Sequence, residues 1–159
     1  MRTFTSAVLI AATLSVFAPI AIAPATAQAG TSVPTSSTAL RQNSWYGQAT
    51  ALDGTDVVSY FYDTGPVAGS ADYTVQWDNS EWRFSSAANR DLFAADPEKF
   101  APQFGGYCPV ALSNGDVLVG SGQHHVVVDE RLYFNLDEAS SNLFKNETGR
   151  FIAEAKINF

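Results

Sequence analysis

One cysteine and two adjacent histidines are the side chains of this chain that are best suited to metal or thiol chemistry. Cys108 is the single cysteine among 159 residues, and His124 and His125 are the two histidines. Two imidazoles and one thiolate make up the ligand set of a trigonal copper site. Zinc would need a fourth ligand, such as a carboxylate. The sequence thus offers Cys108, His124 and His125 as candidate ligands for copper or zinc.

The adjacency of the two histidines limits that site. Neighbouring residues of a β-strand face opposite sides of the sheet, so one imidazole can join Cys108 unless a bulge intervenes. If a metal binds, we therefore expect Cys108 with either His124 or His125, aided by a carboxylate. Three alternatives remain for the thiol. It is a buried and inert small hydrophobe between Tyr107 and Val110, it forms a disulfide with another chain, or it is a nucleophile with a histidine as base.

Three carboxylates form a second group that could bind a cation. Asp53, Asp56 and Asp63 fall within eleven residues, and carboxylate oxygens suit calcium. Their spacing does not match a twelve-residue calcium loop, because no bidentate glutamate follows at the required distance. We therefore predict that these three aspartates are solvated turn residues.

Charge and the N-terminal segment restrict the compartment and the partners. The 16 acidic and 9 basic residues give a net charge of −7, which argues against nucleic acid as a partner. Residues 1–29 combine Arg2, an apolar run and small residues in the plan of a secretory signal peptide. Residues 30–44 are rich in small polar residues and predict a flexible leader. We expect a periplasmic or secreted domain over residues 45–159, with no stable membrane insertion after signal cleavage.

Hydrophobic patterning predicts a small domain of mixed secondary structure. The β-branched and aromatic run Val57–Phe61 predicts a strand, and residues 73–77 and 81–84 alternate as two strands of a hairpin. Ser85 or Ser86 can cap a following helix. Asp96 followed by Pro97 is a second helix start.

The remaining pattern is a second hairpin followed by helices. Residues 124–128 and 131–134 flank a turn at Asp129-Glu130, and Asp137 and Thr148 are candidate caps of two helices. No internal repeat is expected. The order of elements predicts an α+β domain, with a small antiparallel sheet and helices packed mainly on one face.

Several motifs in this order resemble the YHS domain, in its longer exported form. They are Leu52-Asp53-Gly54-Thr55-Asp56-Val57-Val58-Ser59-Tyr60-Phe61, Asp96-Pro97-Glu98-Lys99-Phe100, Gly105-Gly106-Tyr107-Cys108 and Leu132-Tyr133-Phe134-Asn135. The resemblance implies a small α+β fold that is often associated with metal handling. Members that bind metal carry cysteines just after the aromatic strand and in the next helix. This chain has Ser85 and Asn89 at those places.

The function expected from these observations is binding without catalysis. The sequence favours an exported YHS-like module of the cell envelope that binds a metal ion or a small ligand. One alternative is a thiol-dependent enzyme that uses Cys108 with a histidine base. The other is a purely structural or partner-binding domain, in which the aromatic residues serve only the core.

Overall fold

The computed structural model describes residues 48–62 and 65–159, all within one compact unit, Val33–Phe159. The predicted signal peptide (residues 1–29), the predicted leader (30–44) and the predicted start of the domain at residue 45 lie outside the described residues. Asp63 does as well.

Helices and hairpins alternate along the described chain. Its four strands are β1 (Ser70–Trp77), β2 (Ser80–Phe84), β3 (Ser121–Val128) and β4 (Arg131–Asn135). Its α-helices are α1 (Ala87–Ala95), α2 (Pro97–Phe100), α3 (Pro109–Ser113), α4 (Glu138–Asn146) and α5 (Thr148–Asn158). Short 3-10 helices span Ala51–Gly54, Val57–Phe61 and Gln103–Gly106. The predicted α+β class is confirmed. None of the helices described is long and apolar enough to cross a membrane.

Both predicted hairpins are present, but they form two separate two-stranded antiparallel sheets instead of one sheet. Each hairpin closes with a two-residue turn whose central residues have positive φ. These residues are Asp78 (47°) and Asn79 (61°) in the first hairpin, and Asp129 (49°) and Glu130 (56°) in the second. Two left-handed residues in succession match the right-handed twist of the flanking strands, which fixes the register of each hairpin.

The strand predicted for Val57–Phe61 is wrong, because this segment is a 3-10 helix. Asp56 precedes it as the N-cap and accepts a hydrogen bond from the backbone N–H of Val58 at 3.0 Å. Val57, Val58, Ser59 and Tyr60 are all buried. Burial on every side removes the alternation that would have separated a strand from a helix, so composition alone was misleading here.

Three of the predicted helix caps are confirmed. The side chains of Ser86, Asp96 and Asp137 accept hydrogen bonds from the first turns of α1, α2 and α4. The prediction for Thr148 is wrong. Glu147 is the N-cap of α5, and the Thr148 hydroxyl donates to the carbonyl of Phe144 at 2.7 Å. Helices α4 and α5 are therefore joined by a single residue.

The order of elements occurs twice along the described residues, although no internal repeat is expected from the sequence. The first repeat (residues 51–100) runs through a 3-10 turn, a second short helix, a hairpin and helices α1 and α2. The second repeat (residues 103–158) has the same order, with α3 in place of the second 3-10 helix. Corresponding pairs of elements are in contact within each repeat.

Backbone details recur at matching positions. The N–H of Asp56 donates to the carbonyl of Val67 at 2.9 Å, and that of Cys108 donates to the carbonyl of Leu118 at 2.9 Å. Each hairpin also has one register irregularity, between Ser70 and Thr74 in the first and between Ser121 and His125 in the second. Asp56 and Cys108 are therefore counterparts in the two repeats.

The cores of the repeats use equivalent aromatic positions. Trp82 stacks on Phe93 with ring centroids 4.8 Å apart in the first repeat, and Tyr133 packs on Phe144 at 5.0 Å in the second. Phe93 and Phe144 are both fully buried. Burial of such large rings supplies much of the stabilisation of a domain of this size.

Candidate functional site

Cys108 lies in the interior as the residue before α3. Its side chain is 1% exposed, and its carbonyl accepts from the N–H of Leu112 at 3.0 Å. The side chain makes no capping hydrogen bond. Tyr107 and Pro109, its two chain neighbours, are also buried. The position is that of a small apolar residue in the core.

The two histidines lie half-buried on β3 with separate roles. The ring of His125 packs edge-on against Tyr60, with centroids 4.9 Å apart, and its Nδ1 lies 2.9 Å from the carbonyl oxygen of Gly122. A carbonyl can only accept, so the proton is assigned to Nδ1. The backbone carbonyl of His124 accepts from the Asn135 amide at 3.2 Å. Both residues thus contribute to packing around the second hairpin.

Cys108, His124 and His125 are not brought together as a three-ligand set. Within the described residues, no three or more histidine, cysteine, aspartate or glutamate side chains are grouped in a way that could hold a metal ion. The structure therefore adds no geometric support to the predicted copper or zinc site.

Asp56 corrects the prediction of three solvated aspartates, because it is fully buried. Its Oδ2 accepts from the Ser85 N–H at 2.8 Å, from the Ser85 hydroxyl at 2.6 Å and from the Asn89 amide at 2.7 Å. Its Oδ1 accepts from the Val58 N–H at 3.0 Å. Asp53, in contrast, is exposed as predicted. A buried carboxylate with this many donors is a structural centre.

The Asp56 network includes two polar residues at the start of α1. Ser85 and Asn89 both donate to one carboxylate oxygen, as given above, and the Asn89 amide also lies 3.4 Å from the Ser85 hydroxyl. With donors on both oxygens, the carboxylate is compensated by hydrogen bonds alone. The network therefore ties the start of α1 to the 3-10 helix Val57–Phe61.

A cavity of about 390 Å³ lies between the two repeats. We call it the Tyr60 cavity. Its first-repeat walls are Leu52, Asp53, Thr55, Tyr60, Pro66, Val67 and Ala68, and its second-repeat walls are Ser121, Gly122, Gln123 and Phe134. The volume lies within the range of small-molecule sites, and apolar walls with a few polar groups are the usual lining of such sites.

The Tyr60 hydroxyl is a polar group of this cavity. Tyr60 is 7% exposed, and its hydroxyl lies directly against Gly122, where any Cβ would overlap it. It has no hydrogen-bond partner within residues 48–62 and 65–159. Burial raises the pKa of Tyr60 to about 12, so at neutral pH the hydroxyl keeps its proton. Among the described residues, the buried side-chain atom without a hydrogen-bond partner is Asn135 Oδ1. The Tyr60 oxygen therefore opens to the cavity, where water or a ligand can accept from it.

Further polar groups converge on the same cavity. Among the described residues, Asp53 is the single charged one in the lining, and Ser121 and Gln123 add a hydroxyl and an amide. Leu52 and Asp53 both have a φ of 52°, which L-residues seldom adopt. The segment Ala51–Gly54 therefore holds Asp53 in an uncommon backbone conformation. Conformations of this kind are found at ligand sites more often than elsewhere.

A second cavity, of about 490 Å³, has aromatic walls that include Trp77, Phe104 and Tyr133. Its cations, Arg131 and Lys156, are exposed. Tyr133 is 6% exposed, so this cavity resembles the Tyr60 cavity in combining a buried tyrosine with exposed charged side chains, and it is a second candidate for a ligand site.

Sequence reasoning missed both Tyr60 and Asp56 as special positions. Tyr60 was assigned to a strand, and its partner Gly122 lies in the other repeat, so no local pattern could join them. A signal for Asp56 did exist. An aspartate directly before Val57 is a capping residue as well as a turn residue, and that reading would have predicted a helix.

Comparisons of the chain with protein-family models, with curated proteins and with solved structures gave no significant match.

Proposed function

We propose that this protein is an exported, YHS-like module of the cell envelope that binds a small ligand and does not catalyse a reaction. The sequence motifs and the predicted signal peptide support the family and the compartment. The observation that carries the binding function is the Tyr60 hydroxyl, which opens into a cavity of about 390 Å³ and has no hydrogen-bond partner within the described residues.

Binding is favoured over thiol chemistry because Cys108 is enclosed. A thiol nucleophile must meet its substrate and its base within hydrogen-bonding reach, whereas Cys108 is 1% exposed and does not line the Tyr60 cavity. In residues 48–62 and 65–159, neither a cysteine nor a histidine lines that cavity.

A small ligand is also favoured over a metal ion. The described residues do not gather three metal-binding side chains, and the carboxylate of Asp56 already has hydrogen-bond donors on both oxygens. A metal bound by Cys108 with one histidine would need the thiol to become accessible.

A fragment screen by ligand-observed NMR on the full chain tests the binding function. We expect hits that bind the wild type and Tyr62→Phe equally, and that bind Tyr60→Phe about tenfold more weakly, since one hydrogen bond is lost. Tyr62 is the matched control because it is 49% exposed and lies outside the Tyr60 cavity. Fragments that bind all three proteins alike would reject the cavity as the site.

The proposed compartment has a separate test. Mass spectrometry of the protein recovered from the producing cell should show a chain that starts near residue 30, which is the expected result of signal cleavage. A chain that keeps residues 1–29 and stays with the cytoplasmic fraction would reject export without affecting the proposed cavity.

A further inference from the structure

We infer that the ligand of the Tyr60 cavity is a small organic cation, with an ammonium group held by Asp53 and a hydrogen-bond acceptor that faces Tyr60. This inference rests on the proposed function and specifies its ligand class.

The charge of the cavity points to a cation. Among the residues that the structure describes, Asp53 is the one charged side chain in the lining, and it has neither an ion pair nor a hydrogen bond with any of them. Its carboxylate is therefore free to accept from a ligand. A charge-assisted hydrogen bond to an ammonium group is stronger than one between neutral groups, and a ligand carboxylate at the same place would be repelled.

The Tyr60 hydroxyl fixes the second requirement. It remains protonated at neutral pH and has no partner within the described residues, so it acts as a donor. A ligand that satisfies it must offer an acceptor, such as a hydroxyl or carbonyl oxygen. A ligand that carried only an ammonium group would displace water from this donor without replacing its hydrogen bond, at a cost to its affinity.

The walls and the overall charge agree with such a ligand. Val67 and Phe134 supply apolar surface between the polar groups, which suits a short carbon chain joining the two ends of the ligand. The protein has a net charge of −7, so its field raises the local concentration of cations and lowers that of anions.

Three matched probes test the ligand class by calorimetry on the full chain: aminopentanol, pentanediol and hydroxypentanoate. Each carries a hydroxyl at one end of a five-carbon chain, and the other end is cationic, neutral or anionic. We expect aminopentanol to bind at least about tenfold more tightly than pentanediol, because only its ammonium group can form a charge-assisted bond. We expect hydroxypentanoate to bind least.

Asp53→Asn should remove the preference for aminopentanol, and asparagine tolerates the positive φ of this position well. Asp116→Asn removes a charge from an exposed residue outside the cavity and should keep the preference. Raising the salt concentration should weaken the binding of aminopentanol and leave that of pentanediol unchanged.

The outcomes separate the ligand class from the cavity itself. Equal binding of aminopentanol and pentanediol overturns the inference, and so does binding of none of the three probes while screen hits still depend on Tyr60. In both cases the cavity stands as a neutral-ligand site. A loss of the preference in Asp116→Asn as well as in Asp53→Asn also overturns the inference, because net charge alone would then explain it. Absence of any Tyr60-dependent ligand rejects the proposed function.

Discussion

The side-chain amide of Asn89 donates to the carboxylate of Asp56 at 2.7 Å, across 33 positions of the sequence. This bond joins helix α1 to the cap of the 3-10 helix Val57–Phe61. The N–H and the hydroxyl of Ser85 donate to the same carboxylate oxygen, Oδ2 of Asp56. The buried carboxylate of Asp56 thus joins two elements of the first repeat.

Replacing that charge should be among the most damaging single changes to the fold. Asp56→Ala leaves the Ser85 and Asn89 donors without their acceptor, and we expect a loss of about 3 kcal/mol in the free energy of unfolding. Urea denaturation measures it. Asp116→Ala, at an exposed carboxylate, should change the same quantity by less than about 0.5 kcal/mol. Similar losses in the two variants would show that the network contributes little.

The contact between Gly122 and Tyr60 yields a second prediction. Gly122→Ala places a methyl group against the Tyr60 hydroxyl, and overpacking of this kind costs about 1 to 3 kcal/mol. Tyr60→Phe should recover most of that loss in the double variant, since it removes the overlapping oxygen. A double-mutant cycle by thermal or urea unfolding gives the coupling, and additive losses would mean that the hydroxyl can move aside.

Alkaline pH should destabilise the protein partly through Tyr60. Its pKa is 10.0 in the unfolded chain, and burial raises it to about 12 in the fold. The neutral hydroxyl therefore stabilises the fold fully below pH 10, and this contribution is lost as the pH rises through 12. Tyr60→Phe should show a smaller decline in unfolding free energy over that interval. An identical decline in both proteins would place the titrating groups elsewhere, for instance at Tyr107 or Tyr133, whose pKa values burial also raises.

The repeated order of elements predicts that alanine substitutions at two matching glycines, Gly69 and Gly120, are equally destabilising. A Cβ on Gly69 would meet the backbone of Arg83, and one on Gly120 would meet the backbone of Phe134. Both alanine variants should lose at least about 2 kcal/mol. Gly149→Ala is the control, because no atom lies within 4 Å of the added methyl group and alanine favours the helix by about 0.5 to 1 kcal/mol. A tolerant Gly69 beside an intolerant Gly120 would argue against equivalent backbones.

The thiol of Cys108 should be protected in the native state. A disulfide reagent added at neutral pH is expected to react only as the chain unfolds, and to modify one thiol per chain in denaturant, because the side chain is 1% exposed. Rapid stoichiometric modification of the native protein would contradict this and would revive the thiol-enzyme hypothesis.

Helix caps and hairpins could be predicted from the sequence, because they depend on residues that are close together in the chain. Ser86, Asp96 and Asp137 cap their helices because a short polar side chain before a helical run has few other uses. Both hairpins followed from alternation and turn residues. The segment Val57–Phe61 was predicted wrongly because its burial on all sides depends on neighbours distant in sequence.

The repeat was missed because its sequence trace is sparse. Leu92-Phe93 recurs as Leu143-Phe144, and Phe100 recurs as Phe151, while most intervening positions differ. Polar residues diverged most at the interior, where Asp56 corresponds to Cys108. The Tyr60 cavity could not be predicted at all, since it forms only where one repeat meets the other.

A fold with two repeats would ordinarily have two equivalent ligand sites. We expect this chain to have one. The counterpart of Tyr60 in the second repeat is Leu112, which is fully buried and has no hydroxyl. The repeats thus share an order of elements, while only the first has a hydroxyl at this position. Titration of a ligand for the Tyr60 cavity should accordingly saturate at an equimolar ratio, with no cooperativity between halves.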